Sequence, residues 1–297
     1  MSDTTASLRR KIGSAADLQS VVRTMKTLAA SSIGQYEQSV RALGAYNRTV
    51  ELGLRTCLRS NDPAPSRSTL RRKNGPVSVG AVVFGSDQGL VGQFNEVVAD
   101  FALIALSAMP GSPQVWAVGE RVHARLTAAG IPLHGLFSVP NSVKTITPLV
   151  ARILVEHETH GDWDEVSELH LFYNRPSSGA VYTPVSQRLL PLDDAWHHEI
   201  AMLAWPTKNL PQIMGGHGDT LRALIREYLF VSLFRASAES LASENASRLS
   251  AMERADRNID ELLGDLNGTF HRLRQSGIDE ELFDVIAGFE SLGGVRQ

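Results

Sequence analysis

The two ends of this 297-residue chain are free of proline, and all 13 prolines lie between Pro63 and Pro211. Each end also repeats apolar or small residues at a spacing only a long helix can use. The first series runs Leu8, Ile12, Ala15, Leu18, Val22, Met25, Ala29, Ile33, Tyr36, Val40, Leu43, Asn47, Val50, Leu54, Cys57. It advances 49 residues in 14 intervals, a mean step of 3.5. That is the heptad of a left-handed coiled coil, not the 3.6 of a straight surface helix. One helix is predicted from Ser7 to Leu58, and it needs a partner to hide its stripe.

The other end supplies a partner. From Leu224 through Tyr228, Val231, Ala238, Leu241, Leu249, Met252 and Ile259 to Leu266 the step is again 3.5, interrupted by Arg235, Asn245 and Asp256. Asp219 is the expected N-cap and Leu292 the expected end. A helix of this length is about 110 Å long, at ~1.5 Å per residue. Ala and Ser crowd the stretch from Ala236 to Ala251, so the two helices are expected to approach closely. A bundle of shorter helices broken at Gly264, Gly268 or Gly277 stands as the alternative.

Between the ends the period changes. Strands are predicted at Val77 to Phe84, Gln114 to Gly119, Leu133 to Val139, Glu168 to Arg175 and Val181 to Leu190, with helices at Asn95 to Met109, Glu120 to Ala129 and Ser142 to His160. The last two strands form a hairpin around PSSGA. Such alternation implies an open α/β sheet with one antiparallel edge. The fold class is therefore α/β: a long antiparallel coiled coil of the N- and C-terminal helices plus a Rossmann-like domain. The expected division is 1–60 for the first helix, 61–75 for a linker rich in Pro, Ser and Arg, 76–212 for the α/β domain and 213–297 for the second helix.

The net charge of −3 argues against a chain that coats nucleic acid. It conceals a split, because residues 1–73 hold 13 Lys+Arg and 5 Asp+Glu, a net of +8. A lone Cys57 excludes an internal disulfide framework. No apolar run approaches the ~18 residues of a spanning helix, and the start lacks the apolar core of a signal peptide.

Catalytic chemistry is hard to find. GSDQGLVGQ, with Gly85, Gly89 and Gly92, follows a strand and precedes a helix, where nucleotide proteins seat a phosphate. It lacks the Lys-Ser/Thr of a P-loop and the G-x-G-x-x-G spacing, and Asp87 would repel a phosphate. A structural turn or a protein contact is the expected role. His157-Glu158-Thr159-His160 is one residue short of the i, i+4 zinc spacing. His197-His198 reads as a surface pair, and Asp193-Asp194 has no obvious partner. No cofactor, metal site or direct nucleotide site is expected. A dinucleotide-binding α/β enzyme with helical extensions and a coiled-coil scaffold stay open as readings.

Three motifs point one way. LRRKIGSAADLQSVVRTMKTLAAS, Leu8 to Ser31, resembles the N-terminal helix of the γ subunit of F-type ATP synthases. GSDQGLVGQFN resembles that family's S-D-R-G-L-C-G-x-x-N. ASENASRLSAMERADRN and the following stretch through RQSGIDEEL resemble its A-S-E-x-x-A-R-x-x-A-M and R-Q-x-x-I-T-x-E-L. Gln88, Val91, Gln93, Ser32, Gly277 and Asp279 depart from the family pattern, and the chain is similar to the alternate bacterial type, with the choice between proton and sodium transport left open.

The resemblance implies a non-catalytic rotor shaft within a ring of three α and three β subunits, coupling ion translocation to ATP synthesis or hydrolysis. Its implied partners are α, β, ε and the membrane c-ring. Its implied location is peripheral, on the cytoplasmic side of a bacterial inner membrane. Arg9, Arg10, Lys11, Arg23, Met25 and Lys26 of the basic arm are implied contacts, with Asp87 in the loop and Arg274, Gln275 and Glu281 near the end. The apolar Ile278, Leu282, Phe283, Val285, Ile286 and Phe289 suit a tip in an apolar sleeve, or equally an ordinary core helix.

Overall fold

A computed structural model describes residues 4–59, 78–109, 111, 113–160, 166–178, 181–190, 192, 194–214 and 216–293. The expected linker at 61–75 lies outside them, as do Asp193 and part of the PSSGA turn. Both long helices are continuous: α1 spans Thr5–Arg59, and the C-terminal α6 spans His217–Gly293 over 77 residues. Gly264, Gly268 and Gly277 do not break α6. Asp219 lies in its first turn, bonded to Arg222, so the expected N-cap sits two residues inside the helix.

The heptad is written into the burial of α1. Leu8, Ala15, Val22, Ala29, Tyr36, Val50 and Cys57 are buried at sevens, with half-buried Leu43 completing the line. A second line runs Ile12, Gln19, Lys26, Ile33, Val40, Asn47 and Leu54, all buried or half-buried. Leu18, expected on the seam, is 55% exposed, because the 4,3 alternation puts Gln19 there. A strict seven-residue repeat imposes left-handed supercoiling on helices that keep it.

Two compact units emerge, Met1–Leu28 with Leu249–Gln297, and Ala29–Arg248. In the first, Val22 packs with Met252 and Ile259. Arg23 Nε lies 3.1 Å and Lys26 Nζ 3.6 Å from the Asp256 carboxylate, and Gln19 bonds Asp260. Rising numbers on α1 meet falling numbers on α6, so the helices are antiparallel.

The second unit holds a five-stranded sheet in the order β3-β2-β1-β4-β5. Its strands are β1 Ser78–Phe84, β2 Gln114–Val118, β3 Leu133–Phe137, β4 Val166–Pro176 and β5 Tyr182–Leu190. The first four are mutually parallel, and β5 closes the edge antiparallel to β4. Helices α2 (Phe94–Ser107) and α3 (Glu120–Ala128) cover one face, around Ala81, Val83, Val98, Val115, Val122 and Phe172. The other face packs on α4 (Val143–His160) and α6, through Phe84, Trp116, Ile146, Leu171, Tyr173, Leu233 and Leu241, with Tyr36 of α1 joining the cluster.

Here α6 is buried on nearly every side from Leu229 to Ser247, and from Ala236 onward most of those buried residues are Ala or Ser. Arg235, which interrupts the apolar series, is the exception and is exposed. Helix α5, Asp194–Met202, was not foreseen. Its Ile200 and Trp196, one turn apart, pack with Val50 and Leu54 of α1 and Leu224 and Tyr228 of α6.

Candidate functional site

The glycine-rich turn after β1 is a closed polar clasp. Ser86 is fully buried. Its N–H donates to Asn95 Oδ1 at 2.9 Å, and Asn95 Nδ2 donates back to Ser86 Oγ at 2.9 Å. Gly85 takes this position because an added Cβ would fall 2.4 Å from Val122 Cβ. Across the turn Gly119, at φ +114°, lies so close that its Cβ would meet the Ser86 backbone at 2.8 Å.

Asp87 decides what this turn can hold. Its Oδ1 accepts from the Glu120 N–H at 3.0 Å, and its Oδ2 from the Val139 N–H at 2.9 Å. Glu120 opens α3, so the anion-attracting end of that helix is filled by the chain's own carboxylate. Both carboxylate oxygens serve the fold. Among the described residues no group of three or more His, Cys, Asp or Glu is placed to hold a metal, and none of their helices is long and apolar enough to cross a membrane. The side chains of His157 to His160 and of His197 lie outside the description.

The clasp is bonded to α6. Ser247 Oγ donates to the Val91 carbonyl. Asn174 Nδ2 of β4 donates to the Phe94 carbonyl at 2.9 Å, and Phe94 meets Tyr182 edge-on at 5.4 Å. One turn of α6 carries a buried ion pair, Arg248 Nη2 to Glu244 Oε1 at 2.6 Å, with side chains 12% and 7% exposed. Burial pushes the Glu244 carboxyl above the ordinary carboxylate range; Arg248 pulls the other way, and the charge of Asp87 adds to the rise. Burial, then the Glu244 charge, also raises the Tyr36 hydroxyl.

A second polar cluster fastens β4 to α6. Glu239 accepts from Arg175 Nε at 2.9 Å and from Arg235 Nε at 2.8 Å. Sequence reading missed both clusters. The only signal was charge in an Ala- and Ser-rich stretch, at Glu239, Glu244 and Arg248.

The expected contact residues are scattered. Arg9, Arg10 and Lys11 are exposed in the opening turns of α1, and Arg274, Gln275 and Glu281 are exposed far along α6. Arg23 and Lys26 face Asp256 across the helix pair. Met25 packs on the Val22 cluster, and Asp87 is internal to the clasp. Beyond Arg274 the apolar side chains are open to solvent: Ile278 is 54% exposed, Leu282 57%, Phe283 67% and Val285 62%. The side chain of Phe289 lies outside the description.

Two long heptad helices and a five-stranded α/β sheet bonded to the second of them, its turn filling its own anion site, define the class of protein. The sequence profile of the ATP synthase family matches residues 4–292. The chain belongs to that family. It is 26% identical to the ATP synthase gamma chain of Rhizobium johnstonii over 96% of this chain and 98% of that one. It is 27% identical to the ATP synthase gamma chain of Geobacter metallireducens over 97% and 98%. Its fold resembles a chain in the rotor of the Euglena gracilis mitochondrial ATP synthase, with a TM-score of 0.62 at 15% identity over 92% of this chain and 98% of that one. A chain in the OSCP/F1/c-ring structure of the same enzyme gives 0.63 at 16%, over 99% and 96%.

Proposed function

We propose that this chain is the γ-type central shaft of an ATP synthase, a non-catalytic subunit that couples ion translocation to ATP synthesis or hydrolysis. The observation that carries this reading is the family match, which runs from residue 4 to residue 292 and so takes in both long helices and the sheet. In the proposed assembly the helices turn within a ring of three α and three β subunits, with catalysis on β. The sheet-bearing part meets ε and the c-ring, at the cytoplasmic side of a bacterial inner membrane. We assign 1–60 and 213–297 to the shaft, 61–75 to a linker and 76–212 to the α/β part. The departures at Gln88 and Val91 fit a divergent, alternate bacterial branch of the family, with proton or sodium as the translocated ion.

The physics of the helices fits the role. A shaft that turns needs stiffness and few strong attachments to its surroundings. Arg9, Arg10 and Lys11 present exposed positive charge for acidic loops of β, and Arg274, Gln275 and Glu281 present polar groups for the same surfaces. A charge-assisted bond made in one rotary state alone biases that state by ~1.5–3 kcal/mol. Arg23 and Lys26 serve first to hold the helix pair together and present their remaining exposed surface outward. A dinucleotide-enzyme reading finds no support at the turn, where Asp87 occupies the end of α3.

Co-expression with the neighbouring α and β genes tests the proposal. The expected product is a 3:3:1 complex whose ATPase activity the chain alone lacks. A chain that purifies free of α and β, or that binds nucleotide saturably by itself, contradicts it.

A further inference from the structure

Apolar packing holds the sheet against α6, and directional polar bonds sharpen its position along and around the helix. Leu171 and Tyr173 of the sheet share a cluster with Leu229, Leu233 and Leu241 of α6, and such burial is non-directional. Directional bonds add to it at two places: Ser247 Oγ of α6 donates to the Val91 carbonyl, and one carboxylate of α6 reaches β4. Glu239 is 8% exposed at its side chain, and both of its oxygens are engaged, Oε1 by Arg235 of its own helix and Oε2 by Arg175 of β4.

Arg175, 44% exposed at its side chain, has a second point of attachment. Its Nη2 donates to the Tyr173 hydroxyl at 2.6 Å, and its guanidinium lies 5.5 Å from the centre of that ring. Tyr173 is fully buried and meets Phe84 of β1 edge-on at 6.5 Å. Glu239, Arg175, Tyr173 and Phe84 thus form a continuous chain of contacts from α6 to the central strand of the sheet. Arg235 holds the carboxylate from the helix side, so that it cannot swing away with Arg175.

We propose that Glu239, held between Arg175 and Arg235, is the positioning residue that fixes the sheet on α6 and carries torque between them. The proposal rests on the reading of the chain as a rotor shaft. Removing Arg175 leaves the apolar contact intact while freeing the sheet to slip under load, so the defect appears in coupling before it appears in folding. Tyr173 supports Arg175, and its loss gives a smaller effect of the same kind.

The test uses the assembled ATP synthase in inverted membrane vesicles, with ATP hydrolysis and uptake of protons and of sodium ions measured together. The wild-type arm tests the underlying reading: without an assembled, ATP-driven pump that reading fails, whatever the variants do. For Arg175→Ala, hydrolysis per complex is expected to stay within twofold of wild type while ions moved per ATP fall at least twofold. Tyr173→Phe is expected to fall between the two, and Arg175→Lys to restore part of the loss. Arg235→Gln, which leaves the Arg175 bond in place, is the milder second variant. Ions moved per ATP equal to wild type in Arg175→Ala overturns the proposal. So does failure of Arg235→Gln to assemble, because that places Glu239 in folding and not in the joint.

Discussion

At Gly85 a side chain has nowhere to go, since a methyl group would lie 2.4 Å from Val122 Cβ and 2.7 Å from Asn95 Oδ1. The glycine lets the turn close on the N-terminal half of α3 and lets Asn95 reach Ser86. Gly85→Ala is therefore expected to destabilise the chain by about 1–3 kcal/mol, the usual cost of overpacking a filled site. A urea midpoint unchanged from wild type would refute that account of the turn. The sequence marked this stretch as important and read its glycines correctly as a turn. It could not show which way Asp87 faces, because the two N–H groups that Asp87 accepts from are 33 and 52 residues away along the chain. Glu244 and Arg248 were hidden for a similar reason. Their burial is set by the sheet packed on α6, which no local pattern records.

The helices were legible at the scale of whole elements, and their register was legible only in part. Apolar identity drew the seam through Leu18, whereas the heptad runs through Gln19, whose amide reaches Asp260. The same line carries Lys26, so the polar interruption at Asp256 on α6 is answered by polar residues on α1. Helix α5 escaped notice because its apolar signal is a single pair one turn apart, meaningful only beside α1 and α6. Of the forces on Asp256, desolvation opposes ionisation, but the hydrogen bond and charge of Arg23, with Lys26 behind them, hold its carboxyl below the usual range. A depressed carboxylate stabilises the fold above its unfolded value of about 3.9, and that stability is lost as pH falls through the folded value. Asp256→Asn is expected to flatten the acid limb of a thermal-midpoint profile and to weaken the salt dependence of the midpoint. Identical acid limbs in the two proteins would show that the pair does not couple to folding.

For the whole molecule, the net charge of −3 averages away the feature that matters, a positive N-terminal segment joined to a negative remainder. The exposed apolar residues at the far end of α6 carry a related message. Large exposed apolar patches mark surfaces that other proteins cover, and here they lie on a helix that is already fully formed. Phe283→Ser is expected to change the stability of the chain by no more than about 0.5 kcal/mol while reducing its recovery with α and β at least threefold. Undiminished recovery would assign that end of α6 no part in assembly. Family membership and the long-helix architecture agree at this scale, whereas Arg23, Lys26, Met25 and Asp87, expected as partner contacts, are engaged within the chain.

The most direct measurement is rotation itself. Ile104 on α2 is 73% exposed, and Ile104→Cys offers an attachment point for a bead, with buried Cys57 shielded from the reagent. With the complex fixed to a surface through β, the account predicts stepwise rotation of the bead in one direction, dependent on ATP. A complex that hydrolyses ATP with a firmly attached bead that never turns would contradict it.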